Sequence, residues 1–399
     1  MKTSGWIRIL AAPLLLAAAS GAGADDWPNW RGPQHNGISA EKGPWNLLKW
    51  KADVGTGFSS MAVAKGRVVT LGNANDTDTV FCLDAEKGDV LWKHSYPSDL
   101  GDKYFEGGTT HTPTIDGDRV YTIGRWGDVF CLDLATGKTV WSANLQKDAG
   151  FPPPSWGFGG SPYIHENLVV LNVGDAGVAL DKSTGKIVWK SAAQECGYST
   201  PLPIRRGSDT LLVLGSAKSY VAVNARTGAE AWRIKWITQY GVNAADPVVD
   251  GDKMFLSTGY GKGAALFKLG AGEPELIWQS KVLRTQMNPA VLIDGYLYAV
   301  DGDTTEKTAL KCVELATGTQ KWSEPIAGAG SVAAAGGDLV VLSGAGELIV
   351  APASPEGFKP SSRMRTVTGK CWTVPVVANG RVYCRSAEGQ VVCVSAANR

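Results

Sequence analysis

One stretch of 13 residues constrains this chain more than any other feature: Val129 to Trp141, VFCLDLATGKTVW, of which copies recur along the sequence. Its first half is a short run of strand-forming residues. Its centre, Leu134-Ala-Thr-Gly137, is a turn in which Asp133 can accept local backbone hydrogen bonds and Gly137 can take a positive φ without steric cost. Its second half is another strand ending on a large ring that needs burial, so the unit reads as a hairpin with an aromatic peg. The turn returns as DAEKGDVLW ending at Trp92, DKSTGKIVW at Trp189, NARTGAEAW at Trp232 and ELATGTQKW at Trp322. LGAGEPELIW, ending at Trp278, is a looser copy, and LLKW, ending at Trp50, is an isolated last strand. Successive pegs lie 42, 49, 48, 43, 46 and 44 residues apart. A period of that size marks a propeller or a solenoid, because each unit has an apolar face that only a neighbour can cover.

The second repeat shows four strands: A, His111 to Ile115; B, Arg119 to Ile123; C, Asp128 to Asp133; and D, Thr139 to Asn144, with hairpin turns at Asp116-Gly117 and Trp126-Gly127. Strand A carries proline in six repeats, at Pro113, Pro162, Pro201, Pro247, Pro289 and Pro375. Proline cannot donate to a ladder and belongs on an edge, so strand A is the inner edge facing the central channel and strand D the outer one. Strand A segments begin near Phe58, His111, Gly160, Ser199, Ala245, Met287, Gly330 and Cys371, which makes eight. The last unit supplies only A, B and C before the chain stops. Leu47 to Val54, with Trp50, is the missing strand D, so the first and last segments share one blade and close the ring. The expected fold is therefore an all-β, eight-bladed propeller of four-stranded antiparallel blades over residues 45–399. The seventh unit, Ser331 to Thr368, departs most, lacking both turn signature and peg.

Ahead of the propeller, Lys2 and Arg8, an apolar run of 11 residues from Ile9 to Ala19, and Ala22-Gly-Ala24 read as a signal peptide over residues 1–24. The expected mature chain begins at Asp25, periplasmic or secreted, with no membrane span. It carries 37 basic against 38 acidic groups and no basic block, which argues against a nucleic-acid partner. An arm of residues 25–44 follows, and Trp27, Trp30 and Arg31 in it read as packing on the propeller body, with a recognition patch as the other reading.

The hairpin with its Asp, Thr-Gly and Trp resembles the repeat of pyrroloquinoline quinone (PQQ) dehydrogenase propellers, also used by the propeller lipoprotein of the outer-membrane barrel-assembly machinery. The resemblance covers essentially the whole mature chain and is most similar to exported bacterial PQQ-like propeller proteins. It implies the fold; the motif is a packing device and says little about chemistry. For the dehydrogenases it implies a cofactor near the channel against a tryptophan, calcium on carboxylate and amide groups, an aspartate base and a disulfide between adjacent cysteines. The seven cysteines here, Cys82, Cys131, Cys196, Cys312, Cys371, Cys384 and Cys393, include no adjacent pair, and no CxxCH haem site is present. Cys82, Cys131, Cys312 and Cys393 share one position in strand C and read as small apolar core residues. A hairpin centred on Glu388-Gly389 would set Cys384 opposite Cys393, where a disulfide is one outcome.

Candidate ligand groups lie at the channel mouth. Just ahead of the proline column stand Ser60, Thr112, Ser161, Thr200, Asp246, Asn288, Ser331 and Val374. Most of these hydroxyls are expected to satisfy backbone groups. Asp246 and Asn288 supply the oxygen ligands that calcium takes, and Asp246 is the candidate base. Trp236, Trp372 and His111, with Thr112, Ser161 and Thr200, are the candidate cofactor contacts. Aromatic residues crowd three loops of this face: Tyr104 and Phe105; Phe151, Trp156 and Phe158; Trp236 and Tyr240. They read as a stacking surface for a ligand or as a lid that seals the propeller.

Two functions remain open on the sequence. One is a non-catalytic, monomeric exported propeller that binds a peptide, glycan or envelope protein and needs no cofactor. The other is a PQQ- and calcium-dependent alcohol or sugar dehydrogenase.

Overall fold

In a computed structural model describing residues 25–304 and 307–396, the repeats fold into eight antiparallel sheets arranged as the blades of a propeller. The leader expected over residues 1–24 lies outside the described residues. The inner strands are Ala62–Ala64, Thr114–Asp116, Tyr163–His165, Leu202–Arg206, Val248–Asp250, Val291–Ile293, Ser331–Ala335 and Val376–Ala378, and these number the blades 1 to 8. Each is an edge of its four-strand meander, as the prolines require; only blade 7 has a further strand beside it. Strands B, C and D of blade 2 have the expected bounds, but its inner strand begins at Thr114 rather than His111. Pro113 offers no N–H to a ladder, and the residues ahead of it bond to the neighbouring blade instead (below).

Ring closure follows the expected route. Leu47–Asp53 pairs antiparallel with Gln390–Ser395, opposing Trp50 and Cys393, and completes blade 8. Blade 7 gains a fifth strand, Ile38–Ser39, laid parallel to Ser331–Ala335, and its outer strand Ser362–Arg365 carries no peg.

The pegs couple each blade to the next. The Trp141 indole is 8% exposed, and its Nε1 donates to Lys182 O of blade 3 at 2.9 Å. Trp50 bonds Ala85 O at 3.1 Å, Trp92 bonds Leu134 O at 2.8 Å, and Trp189 bonds Ala225 O at 3.1 Å. Trp278 bonds Leu315 O at 2.9 Å and Trp322 bonds Ser354 O at 2.8 Å. The turn glycine belongs to the same contact: at Gly185 (φ +73) an added Cβ would lie 2.5 Å from the Trp141 ring. The repeated Thr-Gly thus supplies a left-handed turn and also a flat floor for the preceding blade's indole. Asp133 closes its turn as expected, its Oδ1 accepting from Thr136 N at 3.0 Å and Thr136 Oγ1 at 2.8 Å.

The strand C cysteines are buried beneath the pegs, with Cys82 opposite Trp92, Cys131 opposite Trp141 and Cys312 opposite Trp322. The Cys384–Cys393 facing pair is not formed. Cys393 lies opposite Tyr383, and Cys384 lies opposite Val392. The hairpin has a three-residue loop ending on Gly389 (φ +98), with Ser386 N donating to Gln390 O at 3.0 Å. One residue of register sends the two thiols to opposite faces of the sheet and into different apolar clusters. All seven cysteines are free thiols.

Two outcomes test this packing. Trp141→Ala is expected to cost about 3–5 kcal/mol in urea unfolding. Gly185→Ala should destabilise more than Gly117→Ala, whose φ is also positive (+58) but whose added Cβ meets nothing within 4 Å; equal effects would remove the ring contact from the account. Separately, thiol titration of unreduced, denatured protein should count seven reactive cysteines; a count of five would restore a disulfide.

Candidate functional site

The segments leading into the inner strands are extended, so side chains alternate between the channel and the blade interior. Residues just ahead of the proline column face the channel, and a chain of hydrogen bonds runs through them from blade to blade. Ser60 N donates to Thr112 Oγ1 at 3.2 Å, Thr112 N to Ser161 Oγ at 2.9 Å, and Ser161 N to Thr200 Oγ1 at 3.0 Å. Thr200 N donates to Asp246 Oδ1 at 2.8 Å, and the series ends there. These hydroxyls therefore hold the backbone of the adjacent blade, as expected of most of them.

The N-terminal arm fills the channel beneath this ring. Trp27 exchanges two 2.7 Å backbone bonds with Val63 of blade 1, and Pro28 O accepts from Ile115 N of blade 2 at 2.7 Å. Arg31, 4% exposed, donates through Nη2 to Ala290 O of blade 6 at 2.6 Å and to Asn36 O at 2.8 Å. Trp30 turns upward: its Nε1 donates to Asp246 Oδ2 at 2.5 Å. The arm packs on the propeller body as its rings suggested, and one of those rings also becomes the floor of a cavity.

That cavity, about 280 Å³, opens at the channel mouth. Of the predicted residues it brings together Thr112, Ser161, Thr200, Asp246, Asn288 and Trp372. Two others are elsewhere. His111 is fully buried, neither ring nitrogen has a hydrogen-bond partner, and burial depresses its pKa to about 3. It stands one residue before Thr112, so the alternation that faces Thr112 to the channel turns His111 into the blade. Trp236 is 2% exposed, its Nε1 donating to Thr258 Oγ1 at 2.9 Å within the apolar core between blades 4 and 5. It wedges blades together and does not line the cavity.

Trp30, one of the arm residues open to a recognition role, lines the cavity, as do Phe58, Tyr198, Tyr260, Gln286 and Met287, which were not among the candidate ligand contacts. Phe58, Thr110, Tyr198, Gln286 and Trp372 each stand two residues before a ring position, so alternation by two is the signal that finds them. On one side Trp372 stacks on Phe58 at 4.7 Å, and Phe105 lies 5.6 Å from Phe58. On the other, Trp156 meets Tyr104, Tyr198 and Tyr240 at 5.7, 5.9 and 6.2 Å. Tyr240 and Tyr260, in T-shaped contact at 5.6 Å, both hold positive φ (64° and 52°), a conformation costly for bulky residues. Phe151 and Phe158, by contrast, are buried. The aromatic loops thus divide into a sealed underside and an open rim. Rim position is fixed from below, where the buried Arg125 donates to Gly108 O at 3.0 Å and lies 4.8 Å from the Phe105 ring.

Burial raises the pKa of Asp246 to about 6, against the opposing pull of Arg31, Trp30 and Thr200. Burial likewise lowers Arg31 to about 10. This donor set does not fit calcium, which takes six to eight oxygens. Among the described residues Asp246 is the single carboxylate of the cavity lining, both its oxygens already accept N–H groups, and the charge of the buried Arg31 acts on it. The Asn288 amide donates to Trp372 O at 2.7 Å, and no group of three metal-ligating acids, histidines or cysteines occurs among the described residues.

A family model described as outer membrane protein assembly factor BamB matches residues 43–125, 125–354 and 306–399. No curated protein matches the sequence. The fold is similar to that of BamB from Moraxella catarrhalis, at a TM-score of 0.65 and 16% identity over 88% of this chain and 99% of that one. It is also similar to quinohemoprotein alcohol dehydrogenase from Comamonas testosteroni, at 0.69 and 14% over 94% and 81%. Saccharomyces cerevisiae Sqt1 aligns at 0.63 and 11% over 89% and 100%. At these identities the likeness extends to the fold alone.

The raised pKa of Asp246 gives a pH prediction. A carboxyl whose folded pKa exceeds its unfolded value adds stability that is complete below pH about 3.8 and is lost as pH rises through about 6. Urea unfolding between pH 4 and 7 should show the wild type losing on the order of 2 to 3 kcal/mol relative to Asp246→Asn. Parallel pH profiles would mean that Asp246 titrates normally.

Proposed function

Because the chain belongs to the family described as outer membrane protein assembly factor BamB, we propose that it is an exported binding protein acting through its channel-mouth face. On this reading it works in the cell envelope after cleavage near Ala24, and the rim of Tyr104, Phe105, Trp156, Tyr240 and Trp372 forms the contact surface around the cavity. No helix among the described residues is long and apolar enough to cross a membrane. The observation that carries the reading is the state of Asp246. Among the described residues the one carboxylate lining the cavity is engaged by the protein's own Trp30 and by Thr200 N, and it feels the charge of Arg31. What the mouth offers a ligand is stacking area and hydrogen bonds.

The deciding experiment titrates PQQ into protein from the periplasmic fraction, where Asp25 is expected as the first residue, with and without calcium. A dye-reduction assay with simple alcohols and sugars follows. No calcium-dependent binding and no dye reduction are expected. Calcium-dependent binding with turnover would overturn the proposal in favour of the dehydrogenase, and would make Asp246 the base to mutate first.

A further inference from the structure

We infer that the channel-mouth cavity is a site for a neutral saccharide of one or two rings, held by the hydroxyl ring and packed against the Phe58–Trp372 wall. The inference rests on the binding-protein reading above and names the class of ligand.

Charge comes first. Among the described residues Asp246 is the only charged side chain lining the cavity, and its two oxygens already accept from Trp30 Nε1 and Thr200 N. Lys370, Arg125 and Lys103 lie over Trp372, Phe105 and Tyr104, and none of the three lines the cavity. A cationic ligand would meet one carboxylate already bonded on both oxygens, and an anionic one no cation among the described lining residues.

Hydrogen bonding comes next. A hydroxyl has one donor and two acceptor sites. Thr112, Ser161 and Thr200 each use the oxygen to accept an N–H from the neighbouring blade, and none donates to a group among the described residues. Three O–H donors are thereby left around the channel, next to the unused lone pairs of Asp246. A ligand that matches adjacent donors and acceptors needs groups that do both, and sugar hydroxyls are such groups.

Shape completes the argument. The Phe58–Trp372 stack, 22° between planes and covered on its indole side by Lys370, forms a rigid apolar wall against which a pyranose can pack. Trp30 closes the cavity from below, so the space is a pit and not a passage for an extended chain. At about 280 Å³ it stands at the small end of ligand sites.

Calorimetric titration with glucose, N-acetylglucosamine, maltose and diacetylchitobiose tests this, with choline and N-acetyl-trialanine amide as cationic and peptide comparators. At least one sugar should bind saturably below about 10 mM. Binding should weaken at least about tenfold in Trp372→Ala and Thr200→Val, and return in Trp372→Phe and Thr200→Ser. Thermal melting of each variant confirms that it is folded. Binding of choline or peptide without sugar, no saturable binding at all, or sugar binding indifferent to Trp372 would each overturn the saccharide assignment. None of these would touch the binding-protein reading, which falls instead on calcium-dependent PQQ turnover.

Discussion

The indole laid across the next blade's turn is the contact on which the rest of the structure depends. A four-stranded blade has two apolar faces and cannot bury both by itself. Trp141 supplies the lateral contact in one residue: a large buried area against the Gly185 turn and a hydrogen bond to Lys182 O that satisfies its only polar atom. Because the contact always reaches the following blade, it is directional, and repeating it around a circle leaves no free face. Where the peg is missing another device stands in. Blade 7 carries no tryptophan in its outer strand, and Trp45, 2% exposed, is buried instead in the apolar cluster that blades 7 and 8 share.

At the inner end of the blades the same repetition works with polar groups. The N–H groups just ahead of the inner strands lie outside the ladders and must be satisfied laterally, and a hydroxyl from the next blade does so whether proline follows, as at Thr112 and Ser161, or not, as at Ser60. Asp246 ends that series with a carboxylate where its neighbours have hydroxyls, and a carboxylate buried there needs donors on both oxygens. Thr200 N and the Trp30 indole provide them. The arm is thus tied to the ring at the one position where the ring carries charge, and the channel is closed by the residue that meets that need.

The blade count, the pegs, the inner edge and the ring closure were legible because each is written in local sequence: a turn of fixed composition, a proline column, a spacing of 42 to 49 residues. The channel-facing ring was legible for the same reason. What could not be read depended on register or on distant partners. Cys384 and Cys393 parted company over one residue of loop length, which flips a strand face without altering composition. His111 stands beside a channel residue and points the other way. Trp30 meets Asp246 across 216 positions of sequence, and no local pattern announces such a contact.

In a repeat fold the regular positions are spoken for by packing, so specificity has to come from positions that break the repeat. The pegs and their turn glycines face neighbouring blades, and the first hydroxyls of the ring hold backbone. Departures at the inner end include Asp246 in the ring, Phe58, Tyr198 and Trp372 where other blades place Thr110, Gly159 or Ala244, and Tyr240 and Tyr260 held at positive φ. All but Tyr240 line one cavity, and Tyr240 touches two of its walls, Trp156 and Tyr260. Blade 7, which departs most from the repeat, lines none of it and differs instead in its packing. Breaks in the repeat are thus of two kinds, and on the binding-protein reading those at the inner end shape the contact surface at the mouth of the channel.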